Sequence, residues 1–298
     1  MAGFFLRNLT RNKISQALLG NAHQQSTVIR QPKGVSSLIL YKYYDAAGGR
    51  AALRSRRLGF RTPSKFNDPF ELTALSNGDG PLSKMDTLRN QIVQLKDQVV
   101  ILSLTRSPLN PLMWAHYGRE HTGVVIAYDV SGPFLSSQEY NLIPADIGDV
   151  IYTHTKSPFK MTPETMSTLG RVHRQGFGAP ATQTFEQQAL ARRLFLTKHA
   201  SWVYEEEVRV VKIADSLFEE THVFQADRLR AYDTGNPLPQ GLHLYKKEVP
   251  ITAVYLGVKN TLASDPVARR ELESLDCPIH QLGVDDASWN LATSQLLF

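Results

Sequence analysis

Trp202-Val203-Tyr204-Glu205-Glu206-Glu207-Val208-Arg209-Val210-Val211 is the stretch on which the reading of this chain turns. Taken as a β-strand, it alternates faces, so Glu205, Glu207 and Arg209 share one side while Tyr204, Glu206, Val208 and Val210 share the other. Acidic residues are poor strand formers, and two on one face repel each other. Two reasons would keep them there. One is a pairing network in which Arg209 and a further cation neutralise the pair. The other is a catalytic carboxylate pair, one residue acting and one positioning. The residues alone leave both open.

Strand and helix patterns extend on either side of this stretch. Leu38–Tyr44 is apolar and aromatic and reads as a first strand, stopped by Gly48-Gly49. Val99–Thr105 reads as a buried strand, Gly123–Asp129 as another, Val150–Tyr152 as a short one and Ile251–Gly257 as the final sheet strand. Helices are expected over Ala51–Leu58, 83–96, Pro111–Arg119, 161–200 with a break at Gly176–Pro180, and 261–275, followed by a loose tail. No linker pattern follows residue 38. The expectation is therefore one α+β domain over residues 38–298, with a mixed or split sheet flanked by helices.

The composition fits a soluble globular protein: 298 residues, 42% hydrophobic, 20% charged. The single cysteine, Cys277, precludes an internal disulfide, and no Cys/His cluster has zinc spacing. A net charge of +5 is weaker than a dedicated nucleic-acid binder usually shows. The charge is uneven, because residues 1–44 hold no acid yet carry Arg7, Arg11, Lys13, Arg30 and Lys33. Residues 1–37 read as a flexible basic leader: a plain tail, a mitochondrial-type presequence, or the export signal of a bacterial effector. No apolar run is long enough to span a membrane. A cytoplasmic location, or export into a target cell, is the expectation.

No G-x-G-x-x-G, Walker loop, G-x-S-x-G or H-E-x-x-H is present, so the chemistries they support have no backing. Four clusters remain. Tyr41-Lys42-Tyr43-Tyr44 offers a strand-borne lysine for a phosphate or carboxylate. Phe66-Asn67-Asp68-Pro69-Phe70-Glu71 is a rigid turn, preceded by Arg54, Arg56, Arg57 and Arg61, whose planar forks suit phosphates. Ser103-Leu104-Thr105 puts two hydroxyls on one strand face, fit to orient a ribose or a carboxylate. Trp114-Ala115-His116-Tyr117 with His121 forms an aromatic helical stripe that could stack a planar ligand or relay a proton. Each cluster also has a plain structural explanation.

The order and spacing of Leu40-Tyr41-Lys42-Tyr43, the Asn67-Asp68-Pro69-Phe70-Glu71 block, Ser103-Leu104-Thr105, Met113–Tyr117 with His121 and Gly123, then Lys198 with Trp202-x-Tyr204-Glu205-x-Glu207-x-Arg209, resembles the bacterial domain-of-unknown-function family 2971. A looser likeness is to ADP-ribosyltransferases, which carry a cation on a first strand, Ser-x-Ser/Thr on a second and a catalytic Glu-x-Glu on a later one. The matching positions are Lys42, Ser103 with Thr105, and Glu205 with Glu207. That likeness implies an ADP-ribosyltransferase-like fold and an NAD-consuming transferase or glycohydrolase: a toxin, effector or defence protein. Glu207 would be the catalytic carboxylate, Glu205 its partner and Ser103 the group orienting it. Lys42, Tyr43, Arg54, Arg57, Arg61, Asn67, Asp68, Thr105, Trp114, His116, Tyr117 and His121 would bind NAD. A protein or nucleic-acid acceptor, and an immunity protein or chaperone, are the implied partners. Two other classes stand beside this reading. One is a nucleic-acid-binding or metal-dependent nuclease-like protein, with Glu205, Glu207 and Asp68 around a metal. The other is a non-catalytic interaction module in which Glu205, Glu207 and Arg209 are structural.

Overall fold

A computed structural model describes residues 37–77, 82–156, 158–160, 162–176, 184–213, 240–245 and 247–298. The basic leader, up to residue 36, lies outside them. The expected α+β class is observed. The strands are β1 (Ile39–Tyr44), β2 (Gly59–Arg61), β3 (Ser76–Asn77), β4 (Val99–Thr105), β5 (Val124–Asp129), β6 (Ile151–Thr153), β7 (Pro158–Phe159), β8 (Thr197–His199), β9 (Glu207–Ile213), β10 (Leu242–Leu244), β11 (Ile251–Leu256), β12 (Ile279–Val284) and β13 (Leu291–Gln295). The helices are α1 (Ala46–Ser55), α2 (Leu82–Gln98), α3 (Pro111–His116), α4 (Pro133–Ser136), α5 (Pro163–Gly176), α6 (Phe185–Leu196) and α7 (Pro266–Glu273).

Nine strands form one mixed sheet, and it is split. The run β1-β5-β11-β12-β13 makes one half, and β10-β2-β4 with β9 makes the other. The halves are joined where Tyr41 of β1 lies opposite Thr105 of β4. The same edge of β4 is taken up by β2 at Ile101, opposite Arg61. Ser103 falls between these two bridges, so its carbonyl faces a gap in the ladder. The Lys42 ammonium fills that gap, donating to the Ser103 carbonyl at 2.9 Å. A buried carbonyl without a partner costs free energy, and this is how the split is tolerated.

Alternation sorts the core. Val100, Leu102, Leu104, Val208 and Val210 pack on one face with α1, α4 and α7. Val99, Ile101 and Val211 pack on the other with α2, α5 and α6. Trp114 of α3 joins Tyr43, Val125 and Leu282 over the remaining half.

Several sequence expectations need correction. Gly48 and Gly49 are not the break after β1; they lie inside α1, which Asp45 caps by accepting from the Gly48 amide at 2.6 Å. A Cβ on Gly49 would meet the Val124 Cβ at 2.8 Å, so glycine there lets α1 lie close on β5. The helix therefore starts at Ala46 rather than Ala51 and ends at Ser55. Ile251–Leu256 is not the last sheet strand, and the tail is not loose. β12 pairs parallel with β11, and β13 pairs antiparallel with β12. Only Ile279 and Leu282 of that hairpin are buried, too little apolar signal to mark it in the sequence. The 161–200 region ends in strand β8 rather than helix, and its expected break at Gly176–Pro180 falls largely outside the described residues.

Candidate active site

The stretch that opened the sequence reading is not one strand. Ala200–Glu205 is a 3-10 helix, and Glu206 closes it in the left-handed conformation at φ 44°. Strand β9 begins only at Glu207. Three successive carboxylates favour this corner over an unbroken strand, because the left-handed residue sends Glu206 to solvent and leaves Glu205 and Glu207 facing inward together. Asn110 locks the corner. Its side-chain oxygen accepts from the Leu112 amide, capping α3, and its side-chain nitrogen donates to the Tyr204 carbonyl at 2.7 Å.

The two carboxylates enter a network of charges. Lys198 on β8 donates to Glu205 Oε2 at 2.5 Å and to Glu207 Oε2 at 3.2 Å. Tyr117 donates its hydroxyl proton to Glu205 Oε1 at 2.6 Å. Arg209 binds Glu207 through Nε at 2.9 Å and Nη2 at 3.1 Å. Its Nη1 and Nη2 also fork onto Glu71 at 2.9 and 2.7 Å, and Nη1 donates to the Phe195 carbonyl. Exposure is 4% for Glu71, 4% for Glu205, 6% for Glu207 and 1% for Arg209. Every charge here is therefore desolvated and paired. The Glu207 amide donates to the Tyr152 hydroxyl at 2.9 Å, which ties the start of β9 to β6.

The carboxylates titrate in opposite directions. Burial works to raise Glu207, but Arg209, Lys198 and a hydrogen bond from Ser103 overcome it and hold the group down at about 2. Burial and the Glu207 charge push Glu205 up, with Lys198 and Tyr117 opposing. Lys42 is lowered to about 8 by burial, with Glu207 pulling it back up and the Arg61 charge adding to the lowering. Paired acids with divided pKa values are the usual arrangement for two distinct chemical roles.

The expected site residues divide into two groups. Glu205, Glu207 and Tyr117 meet around Lys198, Ser103 lies on the neighbouring strand β4 on the face that carries Glu207, and Lys42 reaches the Ser103 carbonyl from the opposite sheet face through the gap in the ladder. Arg61 is close enough to act on Lys42 and is exposed. The others serve the framework. Trp114 is fully buried and donates to the Pro108 carbonyl. Tyr43 is buried and donates to the Ser107 carbonyl, and the Thr105 hydroxyl accepts from the Ser107 amide. His121 lies parallel to the Trp114 ring at 6.3 Å in a left-handed turn of Arg119, Glu120 and His121. Arg54 is held with Arg50 on Glu271, and neither Arg54 nor Arg57 bonds to the carboxylates. Asn67 is exposed, and Asp68 accepts from the Phe70 amide, so this block is a turn that delivers Glu71 to Arg209. Asp68 is not brought to the carboxylate pair.

Other residues named in the sequence take up places in the site that their spacing did not reveal. Glu71 was visible only as a member of a motif, because its partner Arg209 is 138 residues away, and Lys198, although only seven and nine residues from Glu205 and Glu207, is brought to them by the strand-to-helix corner between. An aromatic surface beside Glu205 is made by His116, Tyr204 and Trp202, with His116–Tyr204 centroids at 6.0 Å and Trp202–Tyr204 at 6.1 Å. The Lys198 ammonium sits 4.9 Å from the Trp202 ring centroid.

No helix among the described residues is long and apolar enough to cross a membrane. No curated protein and no solved structure gives a match. Residues 113–210, from α3 through Lys198, Glu205 and Glu207 to β9, match the family model described as a protein of unknown function, DUF2971, which bears out the family resemblance over that stretch.

Proposed function

We propose that this protein is an NAD-consuming transferase or glycohydrolase of the ADP-ribosyl-transfer type. The observation carrying the reading is that β1, β4 and β9 come together where the sheet splits, with Lys42 on the Ser103 carbonyl and Ser103 and Glu207 on the same face of the paired strands β4 and β9. Breaking the bond between nicotinamide and ribose sends the electron pair out with nicotinamide and leaves positive charge on the sugar. The site is built to stabilise positive charge: the Lys198 ammonium already lies between two carboxylates. Glu207, ionised at any ordinary pH, would accept from the ribose hydroxyls and stabilise the oxocarbenium character at C1′. Glu205, with its raised pKa, would take the proton of the acceptor as the acceptor adds to C1′. Ser103 orients Glu207. The aromatic surface of Trp202, Tyr204 and His116 offers stacking area, and Arg61 a cation for the pyrophosphate.

A second reading rests on the closure of the network. All its charges are paired and buried, as a purely structural cluster would be. The two readings separate on NAD loss by the full chain, with cell extract as a source of acceptors, beside Ser103→Ala. NAD loss by the wild type, slowed in Ser103→Ala at equal folding, supports the enzyme. No loss, with or without extract, leaves the structural reading.

A further inference from the structure

The ribbon of β6 and β8 has two faces, and only one meets the carboxylates. Tyr152 and Lys198 are register partners and turn toward the carboxylates. Their neighbours Ile151 and Thr197, also partners, turn the other way and line a cleft of about 460 Å³. Its walls carry Lys156, Arg192 and Arg193 and no carboxylate. Phe185, the first residue of α6, lines it while 81% exposed. Phe70 is 64% exposed, with the Lys156 ammonium 5.6 Å from its ring centroid. Arg192 is exposed and makes no ion pair with a described residue. Lys156 donates to the Thr73 hydroxyl at 2.7 Å, and an aromatic side chain as large as Phe185 left in water beside the Lys156 and Arg192 cations is costly for a surface with no partner.

We infer that this cleft binds single-stranded nucleic acid, with Lys156 and Arg192 on phosphates and Phe185 stacked on a base. Two observations favour a strand. The lining is cationic without acids, which matches a polyanion, and the exposed Phe185 ring in it accepts a base of any sequence. The cleft lies behind the ribbon, so this inference does not depend on the NAD reading.

The test is fluorescence anisotropy of a labelled deoxythymidine dodecamer with the full chain, over a range of salt. Lys156→Ala combined with Arg192→Ala should weaken binding at least about tenfold and flatten the salt slope by about 1.4. Phe185→Ala should weaken it about fivefold or more with the slope unchanged. These positions are at the surface, and equal melting temperatures confirm folding. Absence of binding by the wild type overturns the inference. So does equal binding by all variants, which would place the strand elsewhere, on the basic leader for example. Displacement of the strand by thymidine monophosphate at equal nucleotide concentration also overturns it, in favour of a mononucleotide site.

Discussion

Glu205 and Glu207 share the ammonium of Lys198, yet only Glu207 is also bound by Arg209. That asymmetry divides two like groups. The carboxylate with two cations is held ionised against its burial, and the one with a single cation is pushed up by burial and by its charged neighbour. The corner at Glu206 makes the asymmetry, because it puts Glu205 at a helix end beside Tyr117 and Glu207 in the sheet beside Arg209.

Glu71→Gln should destabilise the fold by about 3–5 kcal/mol, since it leaves half of the Arg209 fork without a charged partner in a buried place. Asp68→Asn, at the turn that presents Glu71, should cost less than about 0.5 kcal/mol, because Asn caps an Asx-type turn nearly as well. Urea denaturation of both variants measures the difference. Equal small losses would show that the fork carries no weight.

Acid should expose Glu207. A carboxylate held at about 2, below its ordinary 4.5, contributes stability that is fully present above about pH 4.5 and lost as the pH falls through about 2. The stability gap between wild type and Glu207→Gln should therefore shrink across that window. A gap constant with pH would contradict the assigned direction.

Lys212 should act on the alkaline side. It is fully buried, donates to the Phe134 and Tyr140 carbonyls, lies 4.0 Å from the Phe134 ring centroid, and is lowered from 10.5 to about 7 by burial. Between those values the unfolded chain binds a proton that the folded chain does not, so stability rises with pH there. Lys42, lowered to about 8, works in the same direction over a narrower window. Lys212→Met should flatten the rise without abolishing it. Urea midpoints at about pH 7 and about pH 9.5 test this, and parallel slopes for the two proteins would refute it.

Gly49→Ala should destabilise by about 1–3 kcal/mol, because the new methyl group meets Val124 at 2.8 Å and α1 must shift on β5. Gly48→Ala, whose Cβ would lie 3.0 Å from the Asp45 Oδ1, should cost less, since that side chain can move. Thermal melts rank the two.

The class of the fold and the main sheet strands were legible because Val99–Thr105 and Val124–Asp129 are continuous apolar runs. The β12–β13 hairpin was not, since it buries so little. The carboxylate run was recognisable as unusual, and its residues do converge. Its geometry was not legible, because the left-handed Glu206 is a property of the corner and not of any local signal. Glu71 approaches from an element 138 residues from Arg209, so that pairing could not be read from spacing, and the pairing of the nearby Lys198 depends on the corner that separates it from Glu205 and Glu207. The turn-forming role of Asn67 and Asp68, in contrast, followed directly from their chemistry.

The account turns on whether Glu207 does chemistry or only holds the fold. The most direct measurement is nicotinamide release from NAD by the full chain, wild type beside Glu207→Gln and Glu205→Gln, with the melting temperature of each taken in the same buffer. The account predicts release by the wild type, a fall of at least about a hundredfold per folded molecule for Glu207→Gln, and for Glu205→Gln the loss of a pH dependence set above the ordinary carboxylate range. Release that survives Glu207→Gln at equal folding, or no release by the wild type with acceptors supplied, would contradict it and leave the network as framework alone.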